Sequence, residues 1–547
     1  MPSFRYYALT TAFLVPILSA CGSTSEKGGM TATGGHGNAV GGGGMSAGSG
    51  SAVTGGQSAV GGAGVGSGGV PASGGSGALG GAGATGGSVG TGGAGTGGAT
   101  GTGGASKGGA TGTGGATGTG GATGTGGATG TGGATGTGPV GPCDIYQSAG
   151  TPCVAAHATV RALYAAYNGP LYQLQRASDK ALKDVPVGDG GFADTTVQDS
   201  FCAGTTCTIP IIYDQSGNMN HMRVTWWAYW MRNGGKPADA NGQKIKVGGH
   251  TAYGIKVTAF NSNVGYRTGV QLSGKASITK GSTTVTFTTP QTLPANTPLY
   301  FRVNTEDCPP DSFPNNCKFL AQWTAAAITN ATTVTLKSPY AGTSSTSTDV
   351  WDNTTKGVAV GNEAQALYMV VDGRRHSKDC CFGYGNSEMS GWDEGNGTME
   401  CVYFGDDVTW GGKGEGTGPW IAADLENGMF KCDKGGWGSD SLQVPSAKSI
   451  NADYATAMVK GPATNHFTLK AGNAQSGTLV TMWDGARPSG NGYSPKALRG
   501  AVILGTGGDG SNGGTGTWFE GVVTKGSPPD SVDALIQANI VAVGYGR

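Results

Sequence analysis

Charge is scarce in this 547-residue chain. Asp, Glu, Lys and Arg make up only 12% of it, and 34 basic residues balance 34 acidic ones. Without a basic excess nothing points to a nucleic-acid partner or an anionic surface, and a neutral ligand fits better. The 6 histidines are scattered and no Cys-x-x-Cys pair recurs, so zinc is not expected, nor any other metal or cofactor. Gly-Lys-Ser/Thr does not follow the glycine-rich turn near Asp509, which excludes a phosphate loop, and the acidic spacing there is wrong for a calcium loop. The nucleophile-elbow pattern of Ser-His-Asp hydrolases is missing from the compositionally rich part. Beyond the N-terminus no run is long and apolar enough to span a bilayer.

What is present falls into three parts. Residues 1–20 read as a signal peptide: Arg5, a short apolar stretch, then Leu18-Ser19-Ala20 before Cys21. Small residues before a cysteine resemble a lipoprotein processing site, so Cys21 is the expected lipidation point. The chain is then exported, either lipid-anchored at a bacterial cell surface or outer membrane, or secreted. Residues 21–139 are almost wholly Gly, Thr, Ala and Ser and settle into a "GGATGT" repeat. With so few apolar side chains to offset ordering entropy, they read as a disordered tether. Much of the 108-residue glycine count sits there. Residues 140–547 carry nearly all the Trp, Tyr, Phe and Ile, enough for one large core or two packed sheets.

The 11 cysteines follow the same logic. With Cys21 lipidated, ten remain, and an oxidising compartment favours disulfides. They fall into local couples, Cys143 with Cys153, Cys202 with Cys207 and Cys308 with Cys317, which leaves Cys401 with Cys432 as a longer-range pair. Cys380 and Cys381 are adjacent. Consecutive alpha carbons lie closer than disulfide geometry prefers, so chemistry alone leaves a vicinal bond, separate partners or free thiols open.

Helical periodicity favours only 154–168 and 530–543, the latter with Asp530 or Ser531 as N-cap. Between them run short β-rich stretches separated by Gly, Asn and Asp, among them "ALYMVVDG", "ECVYFG", "PWIAADLE", "ATAMVKG", "HFTLKAG" and "WFEGVVTKG". This implies an all-β fold, a β-sandwich of jelly-roll or concanavalin-like type. Residues 271–355, rich in Thr and Ser, read as a β-rich insertion.

Two acidic stretches could carry chemistry. In "GPWIAADLENGMF" (418–430), strand alternation puts Asp424 and Glu426 on one face and Leu425 on the other. Paired carboxylates on an apolar strand are costly unless they face a wet cleft, and mutual repulsion raises one pKa. In "AVILGTGGDGSNGGTG" (501–516), a strand runs into a glycine-rich turn with one acid, Asp509, a possible proton donor. Trp392, Trp410 and Trp420 lie nearby in sequence as platforms for the apolar face of a sugar. His157 and His221 read as structural, and "DQSGNMNH" (214–221) as a tight turn.

Five stretches together resemble the catalytic domain of the α-L-arabinofuranosidase B family, glycoside hydrolase family 54. They are "GPCDIYQSAGTPCVAAHATVRALY", "FCAGTTC" with "IIYDQSGNMNH", "DCCFGYGN", "GPWIAADLENGMF" and "LGTGGDGSNG", in order across about 141–270 and 356–547. The resemblance implies a β-sandwich acting as an exo-acting, retaining glycosidase on arabinose-containing polysaccharide such as arabinoxylan or arabinan. Glu426 is then the nucleophile and Asp509 the acid/base. Asp424, Asn427, Gly508 and Trp410 line the sugar site, although the loop after Trp410 is one residue longer here. Cys380–Cys381 matches a vicinal disulfide lining that site, and Cys143–Cys153 and Cys202–Cys207 match family disulfides. Cys401–Cys432 and Cys308–Cys317 rest on parity and spacing only. The C-terminal arabinose-binding domain often found in fungal members is not expected, and a monomer is. A drifted pocket would give another furanosidase or a β-xylosidase; lost turnover would leave a non-catalytic carbohydrate-binding module.

Overall fold

The computed structural model describes residues 138–547 except 227, 232–233, 259–262, 294–296, 302–322 and 353–354, with backbone alone over 323–330. Cys21, the 1–20 leader, the 21–139 tract up to residue 137 and the Cys308–Cys317 pairing lie outside the described residues.

Two antiparallel sheets pack face to face. Among the described residues the first has seven strands and the second eleven. Gln365–Asp372 lies near the centre of the first, between Tyr454–Gly461 and Gly516–Thr524. Its eight residues are all buried because both faces are covered. Leu367, Met369 and Val371 point into the core between the sheets. Tyr368 and Val370 point the other way, beneath a layer formed by the helices Pro142–Ser148 and Asp530–Val543. The second sheet offers Val402, Phe404, Ile421, Ala423, Val502 and Leu504 to the inter-sheet core. Alternation then sends Tyr403 and Ala422 to its outer face. This is the β-sandwich that the strand spacing implies.

The described strands between Val270 and Asp352 form a sheet of their own, whose core includes Ile278, Val285, Phe287, Leu299, Val334 and Val350. No helix among the described residues is long and apolar enough to cross a membrane.

Three expectations fail locally. Residues 154–168 do not form a helix: Cys153–Ala158 is a strand paired with Gly516–Thr524. Ladder pairing on a covered edge outweighs the helix propensity of its alanines. The helix is instead Pro142–Ser148, opened by Pro142 and capped where Gly141 N donates to Asp144 Oδ2 at 2.8 Å. At the C-terminal helix the cap is Pro529, not Asp530 or Ser531. The Asp530 carboxylate is drawn to Lys460 at 2.7 Å and Lys470 at 2.6 Å rather than to helix amides. Cys401–Cys432 is not a disulfide. Cys401 is a free buried thiol near Met399 and Ile503, whereas Cys432 is disulfide-bonded elsewhere and packs in the inter-sheet core. Counting in sequence does not show that a sheet separates them. Cys143–Cys153 and Cys202–Cys207 are both formed.

The first sheet carries a buried carboxylate, Glu520, beside the C-terminus. Arg161 grips it from Nε at 2.6 Å and Nη2 at 2.7 Å, and the Tyr545 hydroxyl donates at 2.8 Å. Arg161→Leu leaves that charge buried with its cation gone. The expected cost is about 3–5 kcal/mol, read as a lower urea midpoint with an unchanged slope.

Candidate active site

The outer face of the second sheet holds a pocket of about 200 Å³ lined by Asp424, Glu426, Asp509, Trp410, Trp230 and the Cys380–Cys381 sulfurs, among others. A larger cavity of about 730 Å³ lies elsewhere, beside Tyr164 and Phe192; its arginine, Arg161, is already committed to Glu520. The smaller pocket is where reactive groups converge.

Asp424 ends the strand Trp420–Asp424 and shares its outer face with Ala422, while Ala423 and Leu425 enter the core. The strand stops there, so Glu426 reaches the pocket by a different route from the alternation expected. Glu426 and Asn427 have φ of 66° and 54°, and Leu425 N donates to Gly428 O at 3.1 Å. Two left-handed residues inside a four-residue turn are the hairpin geometry that matches strand twist. Asn tolerates that conformation, but Glu does not adopt it without strain, which is characteristic of functional positions. Asn427 lines the pocket, with its amide held by Asp393 at 3.1 Å and by Asn396 at 3.1 Å.

Asp509 arrives from the turn after Ala501–Leu504. Its Oδ1 accepts from Ser511 N at 2.9 Å and its Oδ2 from Trp230 Nε1 at 2.8 Å. Cys380 and Cys381 are joined by a disulfide across a cis peptide bond and form one wall. Cys381 Sγ lies 3.1 Å from Ser511 Oγ. Of the three tryptophans singled out, only Trp410 reaches the pocket, with Trp437 edge-on to it at 4.8 Å. Trp420 and Trp392 are buried in packing. Gly508 is not in the lining. A Cβ there would stand 1.7 Å from Glu388 Oε2, so its bare backbone accommodates a carboxylate behind the wall.

Glu388 is one of two functional groups that sequence reasoning missed. It is fully buried, accepts from Thr398 Oγ1, and has Ser387 Oγ at 3.3 Å from Oε2. The second is Arg267, equally buried, whose guanidinium donates to the carbonyls of Glu388 and Gly508. Neither sits in a motif, since each becomes significant only where three strands meet.

Burial, then the Glu388 charge, pushes Asp424 up to about 8. The same two causes, followed by Asp509, raise Glu426 well above the usual carboxylate range. Burial also raises Asp509, against hydrogen bonds from Ser511 and Trp230. Such a cluster holds one acid protonated beside one that ionises.

Glu388 itself is pushed from its ordinary 4.5 up to about 7, mainly by burial. The folded protein therefore keeps that proton at pH values where the unfolded chain has lost it. Its contribution favours folding below about 4.5 and is lost as pH rises toward 7. Glu388→Gln cannot ionise but still accepts from Thr398. Its unfolding free energy should fall less than the wild type's between pH 5 and 7, as measured by denaturant titration at both.

Comparison with known proteins bears on this geometry. The profile of the family "Alpha-L-arabinofuranosidase B, catalytic" matches residues 142–289 and 304–546. This chain belongs to that family. The match runs through most of 271–355, a stretch expected to fall outside it. Alpha-L-arabinofuranosidase B of Aspergillus oryzae is 40% identical over 406 residues, covering 74% of this chain and 62% of that protein. An arabinofuranosidase/β-xylosidase of Trichoderma koningii is 38% identical over 409 residues, covering 74% and 63%. A crystal structure of arabinofuranosidase complexed with arabinofuranosyl-α-1,2-xylobiose superimposes with a TM-score of 0.56 at 35% identity, covering 74% of this chain and 66% of that one. The chain thus spans less than two thirds of the length of these curated relatives.

Proposed function

We propose that the chain is an exo-acting, retaining α-L-arabinofuranosidase that removes terminal arabinofuranosyl groups from arabinoxylan or arabinan. One observation carries this reading: Glu426 and Asp509 enter a single small pocket from two separate elements, beside a disulfide wall. Glu426 attacks the anomeric carbon, and the bond to the leaving oxygen breaks as Asp509 gives that oxygen its proton. Asp509, now a base, takes a proton from water, which displaces Glu426 and restores both carboxyls. Asp424 and Asn427 hold the furanose hydroxyls, Trp410 and the Cys380–Cys381 sulfurs its apolar surface. An S–S wall offers shape without hydrogen-bonding groups that would need partners. Gly508 acts from behind the wall.

The name of the Trichoderma koningii relative favours a second activity, on β-xylosides. Hydrolysis of 4-nitrophenyl α-L-arabinofuranoside, in parallel with the β-D-xylopyranoside, tests both. Nitrophenol from the first substrate with arabinose released as the α-anomer supports the reading. Sugar binding without release points to a binding module instead.

Export is part of the proposal, supported by the disulfides and the 1–20 leader. Lipidation at Cys21, and so a cell-surface anchor, rests on Leu18-Ser19-Ala20-Cys21 alone. A monomer acting on carbohydrate is the simplest arrangement.

A further inference from the structure

Trp230 is 57% exposed although it lines the pocket. It is held to the loop bearing Asp509 twice: its backbone N donates to Asp509 O at 3.0 Å and its indole Nε1 to Asp509 Oδ2 at 2.8 Å. The Tyr229 ring stands edge-on to it at 5.1 Å. Gly510 sits so close to this loop that a Cβ there would lie 2.4 Å from Ala228 Cβ. The indole is therefore fastened beside the Asp509 carboxylate while more than half of its surface stays exposed.

Position then decides what that face meets. Asp509 gives its proton to the leaving oxygen, so the sugar bearing that oxygen must stand against Asp509 and against whatever is fastened to it. Trp230 comes from a loop that rests on the sheet of 270–352. Four residues earlier, Trp226 stacks on Trp351 of that sheet at 4.2 Å and 13°, with Tyr300 at 6.3 Å.

On the arabinofuranosidase reading, we propose that Trp230 is the platform for the leaving group, stacking on a neutral pyranosyl residue of the polysaccharide backbone. The 270–352 sheet holds that platform through the Trp226–Trp351 stack. A flat pyranose presents an apolar C–H face that suits an indole.

Xylotriose, which carries no arabinose, probes this subsite by calorimetric titration independently of turnover. The wild type should bind it, Trp230→Ala should bind at least about tenfold more weakly, and Trp230→Phe should keep most of the affinity. Trp351→Ala, remote from the pocket, should weaken binding in the same direction. Turnover gives a second reading through the ratio of kcat/KM on an arabinosylated xylo-oligosaccharide to that on methyl α-L-arabinofuranoside. Trp230→Ala should lower this ratio about tenfold. Trp230→Phe should preserve the ratio but move the basic limb of the pH profile upward, because Asp509 loses the hydrogen bond that holds its pKa down. Equal losses on both substrates, with xylotriose binding unchanged in Trp230→Ala, would overturn the proposal. Xylotriose binding that depends on Trp230 in a protein that cleaves neither substrate would keep the subsite and reject the arabinofuranosidase reading.

Discussion

Glu426→Gln should abolish arabinofuranoside hydrolysis, by on the order of 10⁴-fold or more in kcat, about 5.5 kcal/mol of transition-state stabilisation. The amide matches the carboxylate in shape, so the turn should survive while the covalent step loses its nucleophile. Stability should move the other way. Burial raises the pKa of Glu426, and the charges of Glu388, Asp509 and Asp424 raise it further. A neutral side chain relieves that repulsion, so the dead variant should melt at a higher temperature than the wild type at pH 7. Asp509→Asn should cost about 10²–10⁴-fold on an oligosaccharide. It should cost much less on the 4-nitrophenyl substrate, whose leaving group departs without a proton. Steady-state kinetics on both substrates, with a melting scan, check the pair. Hydrolysis that survives Glu426→Gln would mean that another group is the nucleophile.

Arg267→Met should damage both stability and turnover. The guanidinium clasps the carbonyls of Glu388 and Gly508, and so ties the end of the strand Gly383–Ser387 to the turn that bears Asp509. Burial lowers its pKa, and the charges of Glu388, Asp509 and Glu426, which lie within electrostatic reach, oppose that shift. Removing it leaves buried carboxylates without that cation, at an expected cost of about 3–5 kcal/mol. The nucleophile then ionises less readily, so the acidic limb of the kcat/KM profile should move to higher pH. Arg267→Lys restores the charge without the planar two-carbonyl grip. It should recover most of the pH profile while kcat stays low. A variant with a normal pH profile and normal kcat would show that Arg267 serves packing alone.

Several features were legible because they are local. The short β-rich runs "ALYMVVDG" and "ECVYFG" form strands with two covered faces, and the 530–543 period gives the last helix. The glycine-rich turn after "AVIL" delivers Asp509 to the pocket, and the adjacent cysteines bond to each other as the family resemblance implied, where local chemistry alone left the bond open. Where local preference was nearly balanced, distant partners decided. The alanine-rich 153–158 segment became a strand because Gly516–Thr524 offered a ladder. Asp530 left its capping position because two lysines stood on the neighbouring strands.

By itself the sequence determined the class of fold, the two acidic stretches and the two short-range disulfides, since each depends on side-chain pattern or spacing over a few residues. Only the tertiary structure decided that Cys401 and Cys432 lie on opposite faces of one sheet, that Trp230 rather than Trp420 stands at the pocket, and that Glu388 and Arg267 lie behind it. The physical reason is the same in each case: burial and charge coupling act through space, and residues 121 positions apart, such as Arg267 and Glu388, leave no periodic trace of their meeting.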